Sequence, residues 1–287
     1  MKKLIFLLFY VPILVEAQSG SEIYLFDVQL AKDKILLTNP QNVTNHQGYD
    51  NQPYFDPNRP ILYYSSFNED GRADIKTYNF KTGKTANFTS TNEREYSPTI
   101  TPDAKFISCI IQHDNNAQDL GKYPINGGPA VTLIDNLIVG YHAWVNKNNL
   151  VLFVLGEPMT LQWYDLKSQK AKILADNIGR SLHKIPGEDA VSFVDKQNEA
   201  EWMIKRIDAT TQAFTTIGAT LPGREDLTWT DDGRIIMSDG EKLFYKNPSG
   251  DKEWLEIDMK QGENPLHGIT RLAITRDGKK LAVVATE

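Results

Sequence analysis

A single cysteine, Cys109, occurs in the 287-residue chain. That excludes an intrachain disulfide, a thiolate zinc site and an iron–sulfur cluster, each of which needs two or more thiols. Basic residues are not in excess: the formal net charge is −6. Nucleic acid is therefore not the expected partner, because phosphate binding calls for a dense Lys/Arg surface. No apolar run beyond Val15 is long enough to cross a bilayer, which takes about twenty residues. There is no amphipathic stretch of helical period over ten or more residues. There is no Gly-x-Ser-x-Gly elbow, so a serine hydrolase domain built on that turn is excluded. Gly127-Gly128-Pro129 lacks the strand–helix setting of a phosphate loop and reads as a turn.

What is present begins with an address. Met1-Lys2-Lys3 is basic, Leu4 to Val15 is apolar apart from Pro12, and Val15-Glu16-Ala17 puts small residues at the −3 and −1 positions of a cleavage site. This is the three-part secretory pattern, with residues 1–17 as signal peptide, cut after Ala17, and residues 18–287 as a single mature domain. Gln18 follows the cut, so the cysteine of a bacterial lipid anchor is missing. A periplasmic or secreted monomer with no transmembrane segment is expected.

The mature chain repeats itself. Thr228-Trp229-Thr230-Asp231-Asp232-Gly233-Arg234-Ile235-Ile236 and Ala273-Ile274-Thr275-Arg276-Asp277-Gly278 before Leu281 both read as strand, tight turn, strand. Weaker copies surround Asp56-Pro57-Asn58, Pro102-Asp103-Ala104, Asn146-Lys147-Asn148 and Pro186-Gly187-Glu188. The second turn positions, 57, 102, 146, 186, 231 and 276, are spaced by 45, 44, 40, 45 and 45 residues. A period near 45 with alternating strands is the signature of a propeller blade. The expected fold is all-β: a six-bladed β-propeller of four-stranded antiparallel blades. The final copy ends after two strands, while Glu22–Val28 and Lys34–Thr38 supply a third and a fourth. The amino end should therefore complete the blade that the carboxyl end begins, leaving no split sheet with open edges.

The strand–Pro/Asp–Asp/Gly–strand unit, best seen in Ile100-Thr101-Pro102-Asp103, in Ala273 to Lys279 and in Ile23-Tyr24-Leu25-Phe26-Asp27-Val28, resembles the Pro-Asp repeats of the TolB-like six-bladed propellers. The resemblance covers the repeat domain only. Strands begin by Ile23, leaving no counterpart of the amino-terminal α/β domain of TolB. With the export signal it implies an envelope or secreted protein of a bacterium.

Candidate functional residues follow from the architecture. The first strand of each blade lines the central channel, and the segments before these strands form one face of the ring. They contribute Asp50, Asn51, Glu95, His142, His183, Arg224, Glu225, Asp226 and Arg271 as binding candidates. A polar funnel with convergent charged groups is a default binding site. The first expectation is a non-catalytic module that captures an envelope protein or peptide, without a cofactor. A second is a channel enzyme, a metal-assisted lyase or hydrolase on carbohydrate, using His142, His183 and His267, with His46 in reserve. These histidines show no local ligand spacing, so no metal site is assigned. A third is a sensor or carrier for a sugar or other small molecule. The remaining signals read as structural. Cys109 is a buried strand residue, Trp144 and Trp229 pack between blades, and Phe67 to Asp74 is a hairpin tip lacking the distal Glu of a calcium loop. Asn42-Val43-Thr44 and Asn87-Phe88-Thr89 match a glycosylation pattern that is inert in a bacterium.

Overall fold

The computed structural model describes residues 20–32, 34–260 and 266–287. The signal peptide expected over residues 1–17 lies outside the described residues. Six sheets, antiparallel apart from one short edge pair, form a ring, and no helix occurs among the described residues. Blade 1 is Asp50–Phe55, Ile61–Phe67, Ala73–Asn79 and Lys84–Asn87. Blades 2 to 5 repeat this order, with first strands Arg94–Ile100, Val139–Trp144, His183–Lys184 and Leu227–Trp229. Each of the six expected turns joins a first strand to a second strand.

Blade 6 draws on both ends of the chain. Arg271–Ile274 and Lys280–Thr286 supply its inner strands, and Ser21–Ala31 pairs with Lys280–Thr286 in register from Ser21 opposite Thr286 to Asp27 opposite Lys280. Lys34–Asn42 follows as the fourth strand. The closure expected from the pattern is observed, with one addition. Asp258–Met259 runs parallel to Lys34–Asn42 and makes blade 6 five-stranded. No repeat signal foreshadows this short piece, because it sits in the connection between two blades.

The core is distributed rather than central. Six apolar clusters are found, each at the interface of two neighbouring blades. Ile23, Leu25 and Val284 of blade 6 meet Phe55, Leu62 and Tyr64 of blade 1, for example. The second strand of a blade is covered on both faces, and hence reads as a continuous apolar run: Ala190–Asp195 is buried throughout. The outermost strand faces water, and Lys84–Asn87 is exposed along its length. Burial of this kind stabilises by about 25 cal/mol per Å² of apolar surface.

Turn chemistry repeats as well. Thr230 and Thr275 donate through their hydroxyls to Asp232 and Asp277, and accept from the backbone N–H of Arg234 and Lys280. Gly233 and Gly278 follow with φ of 84° and 65°. In blade 2, Thr101 and Asp103 make the same contact, but Ala104 occupies the glycine position with φ of 54°.

The tryptophan reading holds. Trp144 Nε1 donates to Ser108 Oγ of blade 2 at 2.9 Å, and Trp229 Nε1 donates to Ser192 Oγ of blade 4 at 2.9 Å. Each indole thus fastens its blade to the preceding one while filling the interface.

Candidate functional site

The first strands surround a cavity of about 540 Å³ at the hub. Its wall takes residues from every blade, from Gln52 to Tyr54, Ser97 to Thr101, Tyr141 to Val145, Arg180 to Lys184, Asp226 to Leu227 and Arg271 to Leu272. Blades 1 and 2 enter with an extra residue each. Strand pairing shifts between Asn51 and Tyr54 and between Tyr96 and Thr99. Gln52 and Ser97 take φ of 57° and 55° at these bulges, and Pro53 and Pro98 follow them. Gln52 Oε1 accepts from Ser97 N at 2.7 Å and from Ser65 Oγ at 3.1 Å, which ties the two bulges together. A bulge re-aims the side chains that follow it.

Where the first strands begin, a charged chain spans the hub. Arg180 donates to both carboxylate oxygens of Asp226, through Nη2 at 2.8 Å and Nε at 3.4 Å. Arg271 donates to Asp226 as well, and through its other terminal nitrogen to the Tyr141 hydroxyl at 2.9 Å. The Arg271 guanidinium lies 5.2 Å from the centre of the Tyr141 ring. Tyr49 belongs to the same end: burial pushes its phenol pKa well up, nearby Tyr141 and Tyr96 raise it further, and Arg271 and Arg180 oppose the rise.

Two imidazoles line the wall beyond this chain. His142 is 6% exposed, and desolvation drives its pKa down to about 3. His183 is pulled down to about 4, chiefly by desolvation, with Asp226 opposing and Arg271 assisting. Both are neutral at pH 7. Ser108 Oγ stands among three partners: it accepts from Trp144 Nε1, and lies 3.0 Å from the Thr99 carbonyl and 2.8 Å from His142 Nε2. Nδ1 of His142 is buried without a partner among the described residues.

The expected site residues fall into two groups. His142, His183, Asp226 and Arg271 meet in the cavity. Arg224, Glu225 and Asp226 line a smaller hollow of about 150 Å³ near Ile269 and Thr270. There Glu225 accepts from the Arg180 backbone N–H at 3.1 Å and stands 3.6 Å from Lys196 Nζ. Asp50, Asn51 and Glu95 lie elsewhere. Glu95 is fully buried between blades 1 and 2, accepting from Thr91 Oγ1 at 2.6 Å, Tyr123 OH at 2.9 Å and Thr89 Oγ1 at 3.1 Å. Desolvation pushes its carboxyl pKa up. Asp50 holds the matching place between blades 6 and 1, 3.5 Å from His46 Nδ1, and desolvation raises it also. Asn51 is hydrogen-bonded to Ser21 beside it. Of the two Asn-x-Thr triplets, Thr44 donates to the buried acid Glu22, and Thr89, beside Glu95, stands 3.2 Å from buried Asp74, so these triplets are parts of the inter-blade brackets.

Strand alternation explains the difference. Successive residues point to opposite faces, and one step separates Asp50 from Tyr49 and Glu95 from Tyr96. Arg180 and Tyr141 complete the charged chain and are not among the binding candidates named from the sequence. Their spacing from Arg271 by about two and three repeats, respectively, is the signal that finds them. His267 stands apart and exposed, outside the cavity wall. Among the described residues no group of three His, Cys, Asp or Glu is arranged to hold a metal ion.

A closed ring of six sheets around a hub cavity defines a six-bladed β-propeller, and solved structures of that kind are similar to this chain. A structure assigned as TolB from Agrobacterium tumefaciens matches with a TM-score of 0.70 at 13% identity, over 94% of this chain and 99% of that one. TolB from Acinetobacter baumannii matches with a TM-score of 0.58 at 13% identity, over 93% of this chain and 64% of that one. An oligogalacturonate lyase in complex with manganese matches with a TM-score of 0.59 at 14% identity, over 88% and 81%. These likenesses establish the TolB-like propeller fold. No family model matches the sequence, and no curated protein matches it.

Proposed function

We propose that this protein is an exported, non-catalytic binding ring of a bacterial envelope that receives a segment of a partner protein or a peptide in its hub. The cavity carries this reading. Its volume of about 540 Å³ lies within the range of roughly 300–1,000 Å³ usual for ligand sites. Its polar groups suit recognition better than proton transfer. The Asp226 carboxylate already accepts from two guanidinium groups, and both wall imidazoles are neutral and hydrogen-bonded to serines. The basic start and small-residue cleavage pattern around Ala17 support export.

A second reading, metal-assisted cleavage of an acidic saccharide, draws on the similarity to the manganese-bound lyase and on the cations of the wall. It asks more of the site, since both cavity imidazoles already use Nε2 on serine hydroxyls.

Site-specific photo-cross-linking separates the two. A photoreactive residue is placed at position 184 in the cavity wall, with a control at position 85 on the exposed strand Lys84–Asn87. In the producing cell, adducts with a protein or peptide are expected from position 184 alone. The absence of adducts specific to that position overturns the proposal, as does cleavage of oligogalacturonate by the purified protein with manganese. Amino-terminal sequencing of the exported form, expected to start at Gln18, tests the localisation.

A further inference from the structure

We propose that the turns of blades 1 to 3 at one end of the ring form a basic crescent that rests the protein on an anionic lipid surface. The crescent lies outside the hub, so this inference goes beyond the binding reading and does not draw on it.

Topology gathers the charges. In an antiparallel blade the turn between first and second strands and the turn between third and fourth strands lie at the same end. Blades 1 to 3 therefore present both kinds of turn on one face of the ring. Six lysines stand there: Lys81 and Lys84 in blade 1, Lys105 in blade 2, and Lys147, Lys167 and Lys170 in blade 3. All six are exposed, and among the described residues none makes a side-chain hydrogen bond, ion pair or ring contact.

The carboxylates of the same turns are engaged. Asp56 accepts from Arg59 Nε at 2.8 Å. Asp103 accepts from Thr101 Oγ1 at 2.6 Å and from the Lys105 backbone N–H at 3.1 Å. Asp165 accepts from the backbone N–H groups of Lys167 and Ser168 at 2.8 and 3.0 Å. These acids shape the turns, and the lysine ammonium groups are left facing solvent.

The opposite end of the same blades is acidic, with Glu69, Asp70, Asp135 and Glu157 exposed. Strand Ile61–Phe67 has 7 residues, which separates the two ends by about 23 Å at about 3.3 Å per residue. That exceeds the screening length of about 8 Å at physiological salt, so a surface at the lysine end responds to the lysines and not to the acids behind them. Around the rest of the lysine face the sign changes. Glu188 and Asp189 of blade 4 and Asp231 and Asp232 of blade 5 are exposed in the corresponding turns. The basic region thus covers about half of the ring, and the ring tilts onto blades 1 to 3.

Side-chain chemistry selects the partner. The one arginine of these turns, Arg59, is committed to Asp56 and the Tyr63 hydroxyl. The free cations are all lysines, compact charges on flexible stems that follow mobile headgroups, whereas an ordered protein carboxylate is better held by a guanidinium fork. A lysine near an anionic leaflet strengthens attachment about fivefold, so several in one plane give reversible binding without apolar insertion. The chain as a whole carries a net charge of −6, which such a surface repels. Attachment therefore reports the patch.

The test is co-sedimentation of the purified mature protein with vesicles of equal parts phosphatidylglycerol and phosphatidylcholine, against vesicles of phosphatidylcholine alone. Attachment is expected to the anionic vesicles only, falling steeply as salt rises. Lys81→Ala, Lys84→Ala, Lys167→Ala and Lys170→Ala together are expected to weaken it at least about tenfold with the melting temperature unchanged. The same four positions changed to Arg are expected to keep it, and Lys242→Ala, on the opposite face beside Glu256, to leave it unaltered. No attachment, equal attachment to both kinds of vesicle, or full attachment of the quadruple Ala variant overturns the proposal. So does a salt-sensitive dimer, seen by sedimentation velocity without vesicles and abolished by the four Ala substitutions, since it assigns the crescent to the acidic turns of a second copy. Failure here leaves the hub reading to its own cross-linking test.

Discussion

Arg271 and Tyr141 lie on opposite blades, 6 and 3, yet the guanidinium donates to the phenol oxygen at 2.9 Å across the channel. The same pair is stacked, with 5.2 Å between the guanidinium carbon and the ring centre. A contact between opposite blades does something that contacts between neighbours do not: it limits how far the ring can breathe. Tyr141→Phe keeps the stacking and removes the hydrogen bond. Urea unfolding is expected to show a loss of about 1 kcal/mol, and hydrogen exchange is expected to rise in the first strands of blades 3 and 6. Unchanged exchange there would mean that the cross-channel contact restrains nothing.

The wall imidazoles set a pH dependence. With folded pKa values of about 3 for His142 and about 4 for His183 and an unfolded value near 6.5, the unfolded chain binds more protons over the interval between. Their contribution to stability is complete above about pH 6.5 and is lost as pH falls towards 4. Glu95 and Asp50, whose folded values are raised, act in the opposite sense as pH rises above the ordinary carboxylate range. Comparison with His142→Gln isolates one group, since the side-chain amide can still hydrogen-bond Ser108. Between pH 6.5 and 4.5 the variant is expected to lose less stability than the parent in urea titrations at each pH.

Ala104 stands where Gly233 and Gly278 stand in their blades, with φ of 54° against 84° and 65°. A side chain in this region costs about 1 kcal/mol or more relative to glycine. Ala104→Gly is expected to raise stability by up to about 1 kcal/mol, the gain being trimmed by the greater freedom of glycine in the unfolded chain. A calorimetric melting temperature that falls would show that the alanine is not strained.

Cys109 lies within the interface of blades 1 and 2 with no exposure, and desolvation pushes its thiol pKa well up. It is expected to resist thiol reagents in the native protein and to react at once in urea. Labelling rates then report opening of that interface. Rapid labelling in buffer would place the residue outside the core.

Much of this fold is written in the turns. Six turn signals at near-constant spacing announce six blades, and the unpaired strands at the two ends announce the closure, because each depends on local pattern alone. The site is less legible. His142, His183, Asp226 and Arg271 were accessible from blade position. Asp50 and Glu95 were expected in the channel but face the blade interfaces, since alternation turns adjacent residues to opposite sides and a bulge in each of these strands shifts the register. Thr44 and Thr89 look like glycosylation acceptors until the buried acids beside them, Glu22 and Glu95, are known. The short parallel strand Asp258–Met259 has no signal of its own, being two residues long.

The strand Ser21–Ala31 pairs with Lys280–Thr286, some 250 residues further along the chain. A ribosome makes the first of these long before the second. Five sheets can assemble as the chain emerges, while the sixth waits with an unsatisfied edge until Lys280–Thr286 has been made. Loop closure over such a distance is slow. Completion of the hub is therefore timed by its last seam, not by the first blades to form.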